Sequence, residues 1–197
     1  MASIIKVDTI QASNGTPLLV NGYPTQPGQI IECLSSPCDG STVVGLSGSY
    51  TWPSVIVDQS LTTTYADASG SSISYIPPSN ATKVIYEYTA HLGWADAHAI
   101  SHWRLYIDGI EVVYARTNRN GYYPEDKTTL KWVFNIGNST DNNTGRQATW
   151  TTAKILKWQV RDYGGSNARL RLHKTVYWDG GGTNQFSMPI LTLTAIA

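Results

Sequence analysis

Two alternating apolar runs, Trp103 to Ile107 and Ile110 to Tyr114, are joined by Asp108-Gly109. An Asp-Gly pair in that position favours a type I′ turn, whose twist matches that of the strands on either side. The stretch therefore predicts a tight antiparallel hairpin. A lone hairpin buries too little surface to be stable, so it must belong to a larger sheet. Strand patterns at Ile30–Leu34, Ser71–Ile76, Val84–Thr89, Leu130–Ile136, Thr149–Arg161, Leu170–Trp178 and Pro189–Ile196 supply one. Val84, Tyr86 and Tyr88 share a face; Leu156, Trp158 and Val160 oppose Lys157, Gln159 and Arg161, which predicts one dry and one wet side.

Composition removes the alternatives. β-Branched and aromatic residues outnumber the strong helix formers, and glutamate occurs only at positions 32, 87, 111 and 125, too rarely to build long solvated helices. Fourteen Lys and Arg balance fourteen Asp and Glu, so no global field draws nucleic acid or an anionic membrane. No apolar run is long enough for a membrane-spanning helix. Met1 to Ile10 contains Lys6 and Asp8 and lacks the apolar core of a signal peptide, so synthesis in a cytoplasm is expected. No segment repeats at a fixed period, against a propeller or solenoid. The expected fold is all-β: an antiparallel β-sandwich or jelly roll over residues 29–197, preceded by an extended N-terminal arm, residues 1–28.

The arm alternates through Ile4, Ile5, Val7 and Ile10, then meets Asn14-Gly15, Thr16-Pro17, Asn21-Gly22, Tyr23-Pro24 and Pro27-Gly28. Only Leu18, Leu19 and Val20 can add a second strand between these breakers. Two short strands cannot bury a core, so Ile4, Ile5, Val7, Ile10, Leu18 and Leu19 are expected to dock on the domain, a sister chain or another protein.

Motifs for chemistry are sparse. Cys33 and Cys38 flank a proline-bent loop and are compatible with free thiols, a disulfide or half a metal site; a cytoplasmic origin favours thiols. His98 and His102 have helical zinc spacing without the metalloprotease glutamate, and on an extended chain lie about 13 Å apart, too far to share an ion. Gly45 to Ser49 fails the nucleophile-elbow pattern, and no glycine-rich loop cradles phosphate. No catalytic residue, metal ligand or cofactor is assigned, and the chain is expected not to be an enzyme.

Aromatics carry the one functional signal. Trp103, Trp132 and Trp158 sit in strand patterns and are expected in the core. Trp94, Tyr122, Tyr123 and Trp178, with Asp179, fall in expected loops. Exposed rings beside polar groups stack on sugar C–H faces, which makes these five candidate contacts for a glycan or partner; alternatively the rings fold over the sandwich ends or enter a subunit interface.

The opening Ile4-Ile-Lys-Val-Asp-Thr-Ile10, the Asn-Gly turns and Gln26-Pro-Gly28 resemble the N-termini of fibre-like structural proteins of marine tailed bacteriophages. Thr144 to Thr152, Gln159 to Tyr163 and Tyr177 to Gly182 resemble pieces of the domain that some of them carry. The resemblance implies a non-enzymatic virion component made in a host cytoplasm, usually a homotrimer, held to other virion proteins of capsid or tail by its arm. Such proteins often carry a repetitive shaft; its absence here favours a short capsid decoration or tail-associated knob. Host-surface glycan binding is an added expectation, and a free carbohydrate-binding module or a glycan depolymerase is the alternative. The final strand gives the trimer a separate argument: Ile190 and Ile196 lie opposite Leu191 and Leu193, so both faces want cover, and a threefold axis can supply one. Burial of both faces within one domain is the competing account.

Overall fold

The computed structural model describes residues 19–20, 23–24, 26–94, 98–122, 125–163, 170–176, 178–179 and 184–197. Its strands are β1 (Leu19–Val20), β2 (Tyr23–Pro24), β3 (Ile30–Pro37), β4 (Thr42–Val44), β5 (Ser49–Thr51), β6 (Gln59–Ser60), β7 (Ala66–Asp67), β8 (Ile73–Tyr75) and β9 (Lys83–Trp94). They continue as β10 (His98–Ile107), β11 (Ile110–Tyr122), β12 (Asp126–Asn135), β13 (Lys154–Asp162), β14 (Leu170–Leu172), β15 (Lys174–Thr175), β16 (Gln185–Phe186) and β17 (Ile190–Ile196). The described residues contain no helix, and so none that is long and apolar enough to cross a membrane.

Pairing is nested. The first long strand, β3, pairs with the last, β17; β7 and β8 pair with β13; β9 pairs with β12; and β10 pairs with β11. A long hairpin folded over on itself in this way gives two facing antiparallel sheets, the jelly-roll form of the β-sandwich. One sheet runs β3-β17-β9-β12, with β14 continuing beside the end of β9 and β6 beyond it. The other runs β11-β10-β13, edged by β7 and β8.

Alternation explains the core. Leu34, Leu191, Leu193, Tyr86, Tyr88, Leu92, Leu130 and Phe134 point inward from the first sheet and meet Ile73, Trp103, Leu105, Ile107, Leu156, Trp158 and Val160 from the second. Each fully buried aliphatic side chain of this set contributes roughly 1.5–3 kcal/mol relative to exposure. Several buried aromatics bond their polar atoms to the backbone: Trp52 Nε1 donates to Leu191 O, Trp150 Nε1 to Tyr75 O, and the Tyr86 hydroxyl to Ser71 O, whereas Trp158 Nε1 is buried without a hydrogen-bond partner among the described residues. The expected hairpin forms with Asp108 and Gly109 both at positive φ (49° and 77°), as a type I′ turn requires.

Three expectations need correction. Leu170 to Trp178 is not one strand: His173 adopts a left-handed φ of 65° and breaks it into β14 and β15. The strand expected from Thr149 begins only at Lys154, because Trp150 turns into the core against Tyr75 and Phe134. Trp132 is only half-buried, its indole N–H donating to Thr144 O. Both cysteines are free: Cys33 is exposed on the outer side of β3, while Cys38 is buried with its thiol on Gly70 O, and burial pushes its pKa up to about 12. His98 and His102 both lie on extended β10.

The molecule has two distinct ends. Gly28 N donates to Ala197 O and Ala197 N to Gln29 O, so both termini of the domain meet beside the start of β9. β9 then runs away from that terminal end to Trp94, where β10 begins, β11 finishes and β12 starts opposite Leu92.

Candidate functional site

At the distal end, β9 reverses its usual surface character. Along most of its length the odd positions form a wet outer face, with Thr89 bonded to Thr129 and Glu87 paired with Lys131. From His91 on, that face is covered by the β15-β16 pair. Gly93 makes the crossing possible: a Cβ there would stand 2.1 Å from the Lys174 carbonyl oxygen, so no side chain fits. His173 N donates to His91 O and Ser187 N to His173 O, which stitches the flap to the sheet.

Beneath the flap lies a cavity of about 540 Å³ lined by His91, Glu125, Thr175, Trp178, Gln185, Phe186 and Ser187. This falls within the range of sites that hold a small ligand. His91 Nε2 stands 3.0 Å from Glu125 Oε1, and Val176 N donates to the same oxygen at 2.8 Å. Glu125 Oε2 is buried without a hydrogen-bond partner among the described residues. Trp178 is 69% exposed, an unusual state for so large an apolar surface. Phe186 is braced by the His173 ring, edge-on at 6.4 Å. His173 itself is buried, its Nε2 within 2.8 Å of Ser69 Oγ and 3.0 Å of Ser69 O, and burial pulls its pKa down to about 4.

The sequence candidates converge only in part. Trp94 closes β9 opposite Leu170, and Tyr122 closes β11 opposite His98, both at this end. Trp178 and Asp179 are exposed here, with Trp178 on the cavity wall. Tyr123 lies outside the described residues, as do Ile4, Ile5, Val7, Ile10 and Leu18 of the arm; Leu19 falls in β1, paired with Pro24. Ile190 and Ile196 are half-buried on the outer face of β17. Sequence reasoning missed His91, Glu125 and Phe186. His91 carried a signal, an imidazole on the outward parity of a strand otherwise bearing Ile, Glu and Thr there; Glu125 and Phe186 carried none, because only the flap brings them together.

An exposed indole offers a π-face to sugar C–H groups, while the Glu125 carboxylate, His91, Thr175 and Gln185 offer partners for hydroxyls. The four glutamates are scattered: Glu32 is buried among Tyr75 and Ser47, Glu87 faces Lys131, and Glu111 holds arginines on the other sheet. Glu125 is the one carboxylate on this cavity's wall among the described residues. No metal-holding group of three or more His, Cys, Asp or Glu occurs among the described residues. A larger cavity of about 650 Å³ lies at the terminal end, walled by Leu46, Ile76, Pro77, Ile136 and Trp150.

Compared with known proteins, the chain matches no family model and no curated protein.

Proposed function

We propose that the chain is a structural protein of a bacteriophage particle, a capsid decoration, head fibre or short tail-fibre-like knob, anchored by residues 1–28 and assembled as a homotrimer. The sequence resemblance motivates this reading, and the observation that carries it is the polarity of the fold. The arm enters at the end where Gly28 is bonded to Ala197, and the aromatic cavity lies at the other. A module tethered at its terminal end therefore turns Trp178 outward. The trimer reading draws on the outer face of β3-β17-β9-β12, where one row reads Cys33, Thr194, Ile85, Val133 and the next Ser35, Thr192, Glu87, Lys131. The Glu87–Lys131 ion pair at the middle of this face is internal, hydroxyls such as Ser35 and Thr192 satisfy one another, and the exposed Lys83 and Lys127 stand at its two ends, so over its centre little desolvation opposes a second and third copy. Removal of residues 1–28 is expected to leave a folded domain that no longer binds particles; unchanged occupancy, read by mass spectrometry of purified particles, overturns the arm as anchor.

Glycan recognition is the second reading, favoured by the exposed Trp178 on a cavity wall with unmet acceptor capacity. A glycan array with the wild-type protein and Trp178→Ala tests it, and release of reducing sugar from host polysaccharide would reveal a depolymerase instead.

A further inference from the structure

The outer face of the β11-β10-β13 sheet carries a second groove, on the side of the sandwich away from the proposed trimer face. Alternation turns His102, Arg104 and Tyr106 of β10 and Lys157, Gln159 and Arg161 of β13 away from the core, since Trp103, Leu105, Leu156, Trp158 and Val160 are buried. β11 does not follow in register. Between the pairs Trp103–Thr117 and Leu105–Val112 it carries extra residues, a bulge that lets Tyr114 N leave the sheet for Asn143 O. The bulge folds Arg116 back onto Glu111, Nε to Oε1 at 2.7 Å and Nη2 to Oε2 at 3.1 Å. Arg104 Nε stands 3.5 Å from the same Oε1.

Tyr65 then gathers two guanidiniums over one ring: Arg104 Cζ lies 3.9 Å from its centroid and Arg161 Cζ 5.1 Å. The Nε atoms of both arginines are buried without a hydrogen-bond partner among the described residues. Arg161 Nη2 approaches His102 Nδ1 at 3.3 Å; since arginine only donates, Nδ1 accepts and the ring's N–H is left on Nε2. The groove, about 310 Å³, is lined by Tyr65, His102, Arg104, Arg116, Thr117 and Asn118, with Trp103 at its base.

In a chain of zero net charge three guanidiniums gather here, and among the described residues Arg104 and Arg116 stand against one carboxylate, that of Glu111, while Arg161 faces none. Among the described residues, a second acid on this face, Asp67, is already held by Lys157 at 2.8 Å and Gln159 at 2.9 Å. Converging cations with unspent N–H donors, rimmed by a hydroxyl and an amide, match a compact oxyanion in charge and geometry. We propose that this groove binds an oxyanion, a phosphate, sulfate or carboxylate group, whether free or carried on a sugar. Arg104 and Arg116 contact the anion, His102 Nε2–H and Asn118 complete its hydrogen bonds, and Tyr65 and Arg161 position Arg104.

Calorimetric titration of the whole protein with inorganic phosphate, a sulfated disaccharide, a uronate-containing disaccharide and a neutral disaccharide tests this. Saturable binding of at least one anionic probe and none of the neutral one is expected, weakened tenfold or more in Arg104→Gln and in Arg116→Gln, and unchanged in Lys127→Gln, an exposed cation on the opposite sheet. Phosphate binding marks an anion site sufficient in itself; binding of a charged disaccharide alone marks one that also reads the sugar. No binding of any anionic probe, equal binding of the neutral disaccharide, or equal loss in Lys127→Gln overturns the proposal. Arg116, the more exposed of the two, keeps the test open should Arg104→Gln fail to fold.

Discussion

His173 shows how one residue couples the distal cavity to solution conditions. Its ring is neutral in the fold, with a pKa near 4, whereas the unfolded chain takes up a proton near the ordinary value of 6.5. Above 6.5 both states are neutral and the residue adds no pH dependence. Between about 6.5 and 4 the unfolded state binds the extra proton, so stability falls as pH falls, by up to about 1.4 kcal/mol per unit crossed. The lowered carboxyls act below this window: Asp58, held down by its hydrogen bond from Arg171, and Glu111, by that from Arg116, are lost only as pH drops through and below the carboxylate range. Urea titrations at pH 7 and pH 5 are therefore expected to show a loss of stability that His173→Asn largely abolishes. Gly93→Ala is the sharper lesion. A methyl group cannot share space with the Lys174 carbonyl, so the flap must lift, with a cost of several kcal/mol or a displaced β15, read as a lower thermal midpoint. Neither role is written in the residue's own neighbourhood of sequence. Gly93 reads as an ordinary interruption of a strand, and His173 as one more polar residue in an alternating run, because the strain at each is imposed by a segment distant in the chain.

At the level of elements, legibility tracks how local the cause is. The Asp108-Gly109 hairpin, the alternation of β9 and β13 and the dry face of β17 were all readable, since turn chemistry and period-2 burial are set by adjacent residues. The short strands β4 to β7 were not, because they hold their places through tertiary bonds: Ser47 to Glu32, Gln59 to Asp67 O and Lys157 to Asp67. The same holds for the candidate site. Trp178 stood out as an aromatic in a glycine-rich stretch, yet its neighbours Glu125 and Phe186 reach it only through the flap. Hydrogen exchange checks the distinction: amides of β9 and β17 are expected to exchange with global unfolding, and those of β15 and β16 far sooner, since that pair rests on few ladder bonds. Tyr75→Phe probes the β3 end from inside. It strips a 2.7 Å donor from the buried Glu32 carboxylate and is expected to cost about 1.5–3 kcal/mol by chemical denaturation.

For the whole molecule, assembly decides between the two accounts of the last strand. Sedimentation at micromolar concentration is expected to give three times the 21.6 kDa chain mass; a single-chain mass defeats the trimer. Ile196 is half-buried on the outer face, so Ile196→Glu is expected to yield a folded single chain if that face meets sister copies, and a trimer unchanged in mass if it does not. The nested pairing that brings Gly28 to Ala197 has a mechanical consequence as well. A pull applied between residue 28 and the distal Trp178 runs along the strands, so the bonds joining Ile30–Pro37 to Ile190–Ile196 are loaded in shear and must fail together. A pull between residues 28 and 197 acts on two neighbouring points and opens the same ladder one rung at a time. Single-molecule extension with handles at 28 and 178 is thus expected to need markedly higher force than with handles at 28 and 197. A protein tethered by its arm and tugged at its far end meets the stronger of the two geometries.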